Sequence, residues 1–292
     1  MWATRTPYTE TANEDHKMFT RHKSAIGAGV LALCSAILSS NAAFADDTAR
    51  LRELMVADHR SPQNIARNDA RHPAETLEFF GLKSGLTVIE ILPSGGWYTE
   101  ILAPFLKGNG TFYAAHFSPN SHLAYQPRNL EAFLGLLAAR PDVYDETIVT
   151  RLYPPTETEM APPGSADLAM TFRNVHNWIM AGTQSEHFAA FYTALKPGGI
   201  LGVVEHRAPE GSSMEFMSTT GYVTQDYVIE LAEAAGFEFV AASEINANPL
   251  DNKDYPEGVW TLPPTMRMGD TDKDKYLAIG ESDRMTLKFR KP

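Results

Sequence analysis

Short apolar runs and amphipathic stretches alternate along most of the chain. Residues 74–80 carry apolar positions at helical spacing behind Pro73, whose fixed φ suits the first position of a helix, and Gly81 closes the stretch. Next comes Thr87-Val88-Ile89-Glu90-Ile91-Leu92, a nearly unbroken apolar run of strand length, as expected where helices cover both faces of a sheet. The pattern then repeats, with a helix over 98–106, a strand over 111–117, an amphipathic helix over 129–139, and strands over 147–152 and 166–172. A helix over 186–195 leads through the turn Lys196-Pro197-Gly198-Gly199 into a buried strand over 200–205. A helix over 225–235 ended by Gly236, and strands over 237–242 and 285–289, complete the series. Such strand–helix repeats predict an α/β protein with a doubly wound, mostly parallel sheet and ligands at the carboxyl ends of its strands.

Two stretches break the rhythm. Residues 48–69 are polar and helical, with a modest stripe of Leu51, Leu54, Met55 and Val56, so 46–72 reads as a helical arm in front of a domain over 73–292. Residues 246–283 lack strong periodicity and carry Pro249, Pro256, Pro263 and Pro264 together with Tyr255, Trp260 and Tyr276. A loop this long inside a compact domain is usually functional, and its aromatic residues predict an ordered lid.

The N-terminal segment has its own logic. Arg21, His22 and Lys23 precede an apolar run over 25–38, followed by Ala43-Phe44-Ala45 and then Asp46-Asp47. A basic flank, a short apolar core and a small-x-small site form the layout of a secretory signal peptide, and the run is short for a transmembrane span. Residues 1–45 therefore read as an export segment, with Met18 as an alternative start. The expected product begins near Asp46 and is exported, to the periplasm, with no stable membrane anchor after cleavage. The competing reading is a buried helix of the domain, which Gly27 and Gly29 weaken. The single cysteine, Cys34, lies in this segment, which excludes an intramolecular disulfide or a cysteine metal cage. A formal net charge of −11 with no long basic run argues against a nucleic-acid partner and against docking on an anionic membrane.

The chain carries Arg67-Asn68-Asp69-Ala70-Arg71-His72-Pro73 and then Ile91-Leu92-Pro93-Ser94-Gly95-Gly96-Trp97-Tyr98-Thr99-Glu100-Ile101-Leu102-Ala103-Pro104. Further on stand Arg173-Asn174-Val175-His176-Asn177-Trp178 and Asn248-Pro249-Leu250-Asp251. With the turn Leu195-Lys196-Pro197-Gly198-Gly199 before the fifth strand, these stretches resemble class I S-adenosylmethionine-dependent methyltransferases. More narrowly they resemble a group of exported bacterial methyltransferases, over about residues 60–292. The resemblance implies a Rossmann-like sheet of seven strands in the order 3-2-1-4-5-7-6 with strand seven antiparallel. It also implies S-adenosylmethionine as cofactor, a small-molecule methyl acceptor, and the 246–283 segment lying over the cofactor edge.

In that resemblance, Glu90 matches the acidic residue that orients the glycine loop and the methionine amino group, a solvated strand-end charge being the plain alternative. Glycines are expected at alternate loop positions, where this chain has Leu92, Ser94 and Gly96, with Gly95 between. Each replacement strains the loop by roughly 1 kcal/mol where φ must be positive, and Ser94 is the more serious departure. A bulky residue at Gly96 is expected to abolish function only where a cofactor lies against the loop. His116 stands where an acid would meet the ribose hydroxyls; it either replaces that acid as a neutral acceptor or is structural. Arg173 and Asn174 follow the fourth strand at the cofactor edge and complete the candidate cofactor-binding set of Glu90, Ser94, Gly95, Gly96 and His116.

His176 after the fourth strand and His206 after the fifth face one crevice, where a general base for methyl transfer belongs; they form the candidate catalytic pair. No third ligand stands at a recognisable spacing, so no metal is expected. Of Trp97 and Tyr98, one is expected to pack in the core and the other to line the pocket, while Arg71 either folds over the site or stays exposed on the arm. Neither a Gly-x-Ser-x-Gly elbow nor a dinucleotide-binding fingerprint is present. Two rivals stay open: an exported binding or accessory protein that kept the fold and lost the reaction, and a different enzyme using His176 and His206 on a non-nucleotide ligand.

Overall fold

In the computed structural model, which describes residues 46–292, seven strands form one sheet in the order β3-β2-β1-β4-β5-β7-β6. They are β1 Thr87–Ile91, β2 Thr111–His116, β3 Ile148–Arg151, β4 Ala166–Phe172, β5 Leu195–His206, β6 Glu238–Ser243 and β7 Arg284–Arg290. Strands β1 to β5 pair in parallel, whereas β7 runs antiparallel to both β5 and β6. The export segment, Cys34 and the alternative start Met18 lie outside the described residues. Among the described residues no helix is long and apolar enough to cross a membrane.

Strand side chains alternate between faces, so each buried strand feeds two cores. Val88, Leu168 and Met170 pack with Phe80, Ile101, Phe105 and Phe133, whereas Ile89, Ile91, Ala169 and Leu201 pack with Trp178, Phe188, Phe191 and Val228. That double coverage is why β1 and β4 read as unbroken apolar runs. On β5, a Cβ at Gly202 would come within 2.6 Å of the Phe80 ring, so glycine there lets the helix Pro73–Phe80 lie against the sheet.

The predicted strand over 200–205 is the inner part of a longer β5, because the Lys196–Gly199 turn is itself held to the last strand. Gly198 N–H donates to the Lys291 carbonyl at 2.7 Å, and Lys291 N–H to that of Gly199 at 2.9 Å. Two helices that periodicity did not reveal, Val175–Ala181 and Met214–Thr220, have seven residues each, too few turns to display an apolar stripe.

The arm is docked. A helix over 46–55 inserts Leu51 and Leu54 into the core. Arg60 Nε then donates to Glu100 Oε2 at 3.1 Å in a buried ion pair, and Asn64 Nδ2 donates to Glu100 Oε1 at 2.9 Å. The 246–283 segment is ordered by its own polar residues. Asn248 Nδ2 donates to the Ile279 and Glu281 carbonyls at 2.8 and 2.7 Å. Asp251 accepts the Tyr222 hydroxyl at 3.0 Å and Asp283 N–H at 2.8 Å, tying both ends of the segment beside β7.

Candidate functional site

Register pairs Ile91 with Thr171 and Phe172 with Val204, so the chain leaves β1, β4 and β5 at one level. A cavity of about 730 Å³ opens there, within the size range of small-molecule sites. Its walls come from the loop after β1, the helix Tyr125–Ala139, the ends of β4 and β5, Arg71 of the arm, and Val259, Trp260 and Glu281–Ser282 of the nonperiodic segment.

The loop after β1 keeps left-handed backbone at alternate residues: φ is 49° at Leu92, 53° at Ser94 and 81° at Gly96. Two of these are not glycine, and such conformations cost roughly 1–2 kcal/mol each for L-residues, so something must hold them. His116 does. Phe117 N–H donates to its Nδ1 at 2.8 Å, which leaves the proton on Nε2, and Nε2–H donates to the Ser94 carbonyl at 3.0 Å. Burial holds the imidazole below its ordinary pKa, and the Ser94 bond opposes this only in part. With both nitrogens engaged inside the protein, the ring clamps the loop instead of presenting an acceptor to the cavity. Gly96 needs correction as well. A Cβ there would lie 2.7 Å from Leu136 Cδ2, so a bulky residue clashes with the protein's own core whether or not a cofactor binds. A Cβ on Gly95 meets nothing within 4 Å.

Glu90 is 2% exposed and takes the Thr99 hydroxyl on Oε2 at 2.5 Å. Burial pushes its carboxyl up to about 8 despite that hydrogen bond. It lines the cavity as a neutral acid at pH 7, ready to ionise beside an incoming cation. Further along the same wall, Gln126 Oε1 is buried and lacks a partner among the described residues.

The candidate histidines meet at the other end of the cavity, their ring centroids 5.2 Å apart. Between their main chains lies Glu205, 0% exposed, which the sequence reading passed over as a strand residue. Glu205 Oε1 accepts His206 N–H at 2.8 Å and faces His176 Nδ1 at 3.0 Å; Oε2 accepts His176 N–H at 3.2 Å. A carboxylate against Nδ1 favours a proton there, so in the neutral tautomer Nε2 is the acceptor nitrogen. His206 Nδ1 shares a 2.5 Å hydrogen bond with Ser282 Oγ, and burial, followed by the neighbouring His176 and Arg173, holds its pKa well below the usual value. The third metal donor that sequence spacing lacked is therefore present, since donor atoms of His176, Glu205 and His206 lie within 4.8 Å of one another. Both Glu205 oxygens are already engaged by N–H groups, however, so the group reads first as a carboxylate–imidazole dyad.

Arginines converge beside this pair. Glu281 accepts from Arg67 Nε at 2.7 Å, Arg71 Nε at 3.2 Å and Arg284 Nη1 at 3.1 Å. Burial alone would raise the Glu281 pKa, but these groups and Arg173 hold it down to about 2. Arg71 lines the cavity and stacks its guanidinium 4.5 Å above Trp97, so the arm does fold over the site. Both Trp97 and Tyr98 line the cavity too, Tyr98 stacked on Phe172 at 3.6 Å. Arg173 follows β4 with φ 62° and lines the cavity. Asn174 Nδ2 ties the strand ends together, donating to the Ile91 carbonyl and to Thr171 Oγ1, each at 3.1 Å.

A parallel sheet with this strand order and an antiparallel seventh strand between the fifth and sixth is the Rossmann-like fold of class I methyltransferases. Solved structures that share it include an S-adenosylmethionine-dependent methyltransferase from Aquifex aeolicus, 14% identical over 84% of this chain and 98% of that one, with a TM-score of 0.53. A geranyl diphosphate methyltransferase in complex with S-adenosylmethionine is 9% identical over 82% and 95% of the two chains, at a TM-score of 0.51. The [4+2]-cyclase SpnF is 17% identical over 81% and 85%, also at 0.51. No protein-family model and no curated protein matches the chain. Identities this low establish the fold and leave the reaction to the site.

Proposed function

We propose that this protein is an exported methyltransferase that binds S-adenosylmethionine at the β1–β2 end of the cavity and methylates a small molecule held at the β4–β5 end. One observation carries the reading: the loop after β1 holds positive φ at Leu92, Ser94 and Gly96, with a dedicated imidazole clamping it, although two of the three pay a steric penalty. A chain with no use for that loop shape has no reason to maintain it. The residues fit the cofactor. Glu90 would ionise against the methionine ammonium, Gln126 Oε1 offers an acceptor for a ribose hydroxyl, and Leu92, Pro93 and Phe117 supply apolar wall.

When bound, the donor supplies an electrophilic methyl group on a sulfonium. The chain's part is to position two reactants and to remove a proton. His176 Nε2 takes the proton from the acceptor, and Glu205 stabilises the resulting imidazolium through Nδ1. The acceptor atom would take the methyl carbon as the carbon–sulfur bond breaks with its electron pair on sulfur. No further reagent is needed. Export rests on the layout of residues 1–45 alone, and N-terminal mapping of the secreted product should find it starting near Asp46.

Calorimetric titration of the purified protein with S-adenosylmethionine and S-adenosylhomocysteine tests the reading directly. Binding of both is expected, and neither heat nor thermal shift at millimolar ligand overturns it. A second reading, another reaction on this scaffold, is favoured by His116, which leaves no acid at the end of β2 for a ribose. SpnF, named for a cyclisation, has the same fold. Mass spectrometry of ligands that co-purify with the protein separates the two.

A further inference from the structure

The arginine cluster carries more positive charge than the protein itself neutralises. Arg67, Arg71, Arg173 and Arg284 surround one carboxylate, Glu281, which is the sole ion-pair partner of the first, second and fourth among the described residues. Only Glu281 and Glu90 among the cavity walls are acidic, and Glu90 is neutral at pH 7. Arg71 is 2% exposed, yet its Nη1 has no partner among the described residues. The Arg173 side chain makes no hydrogen bond or ion pair with any described residue, although burial, then Arg284 and Arg67, pull its pKa down to about 10 against the opposing Glu281. A buried N–H without a partner, such as Arg71 Nη1, is costly, and this cluster sits in a chain whose formal net charge is −11.

From Arg71 Nη1 and the Arg173 guanidinium, which lack partners in the cavity wall, we infer that the methyl acceptor is an anion, a small molecule bearing a carboxylate or phosphate. This rests on the methyltransferase reading and names its substrate class. The donor's own carboxylate does not account for the cluster. It comes with an ammonium and a sulfonium, so the donor brings a net charge of +1 into a site already positive. A second, anionic molecule cancels both. Place in the fold agrees: Glu281 binds the arginines while the next residue, Ser282, holds His206, so the anion's seat adjoins the proton-accepting pair. Donor and anion should therefore strengthen each other's binding.

The test is calorimetry on the purified protein with inorganic phosphate and with benzoate, at ionic strength matched by sodium chloride. Either anion should bind alongside S-adenosylhomocysteine and raise the affinity for S-adenosylmethionine. Arg173→Gln should weaken anion binding by about tenfold or more, and Arg173→Lys should restore part of the loss. Failure of both anions to bind overturns the inference, as does an Arg173→Gln variant with unchanged anion affinity. If phosphate and benzoate compete with S-adenosylhomocysteine, and Arg173→Gln weakens that ligand, the arginines hold the donor's carboxylate and the inference fails. Should neither adenosyl compound bind, the methyltransferase reading falls, and the anion titration of the protein alone still decides whether this cluster is an oxyanion site.

Discussion

At the β1–β2 end of the cavity the two titratable groups are neutral and held by the protein: Glu90 is protonated at pH 7 and bonded to Thr99, and His116 gives one nitrogen to the Phe117 N–H and the other to the Ser94 carbonyl of the loop. At the β4–β5 end, a few residues away on the same sheet edge, Arg71 Nη1 and the Arg173 guanidinium lack partners among the described residues, and a carboxylate-backed imidazole lines the cavity. The first end is preorganised in shape, through strained backbone; the second is preorganised in charge. The two ends should therefore fail differently when altered.

The largest effect belongs to the charged end. Glu205→Gln removes the group that fixes His176, and methyl transfer should fall by about 10²–10⁴-fold while S-adenosylhomocysteine affinity is unchanged. Equal losses in binding and rate would show that Glu205 only holds the fold. Glu281→Gln leaves the arginines without their carboxylate and should destabilise the protein by about 3–5 kcal/mol in chemical denaturation. The same carboxyl gives an acid signature. Because its folded pKa, about 2, lies below its ordinary value, its stabilisation is complete above the ordinary carboxylate range and drains away as pH falls toward 2. The variant should lack that component.

At the shape-ordered end the effects are smaller and of another kind. Glu90 must ionise to meet a cation, so at pH 7 donor binding should release close to one proton, read as a buffer-dependent binding enthalpy. Glu90→Gln should abolish the release and weaken binding by about tenfold or more. Stability carries the opposite sign from Glu281: a raised folded pKa makes the free protein lose stability as pH rises from the ordinary carboxylate range through about 8. Smallest of all, Ser94→Gly should relieve the 53° φ and stabilise the protein by up to about 1 kcal/mol, measured by thermal unfolding. If Ser94→Gly is destabilising, the strain argument at this end is wrong.

Much of the architecture was readable in one dimension. The apolar runs over 87–92, 111–117 and 166–172 lie within a residue of β1, β2 and β4, because a strand covered on both faces is apolar at most positions, whatever it packs against. Pro73 and Gly81 bound a helix for reasons local to their own backbones. The short helix Val175–Ala181 gave no such signal, and neither did the inner ends of the 246–283 segment.

For the site, legibility followed the same division. His176 and His206 stood out as histidines after apolar strands, and Glu205 carried the signal that singled out Glu90, an acid closing such a strand, but His206 beside it drew the attention. Glu281 and Ser282 had no signal at all, since they sit in a nonperiodic stretch far in sequence from Arg67, Arg71 and Arg173. His116 was found at the right place, but its choice between ribose acceptor and structural ring needed the positions of Phe117 N–H and the Ser94 carbonyl. Periodicity and turn chemistry act over a few residues, so sequence alone determined the strands, their parallel run and the edge at which the cavity opens. Which ring nitrogen accepts, which guanidinium nitrogen lacks a partner and which carboxyl holds its proton depend on groups as much as 214 residues apart, and only the folded chain decides those.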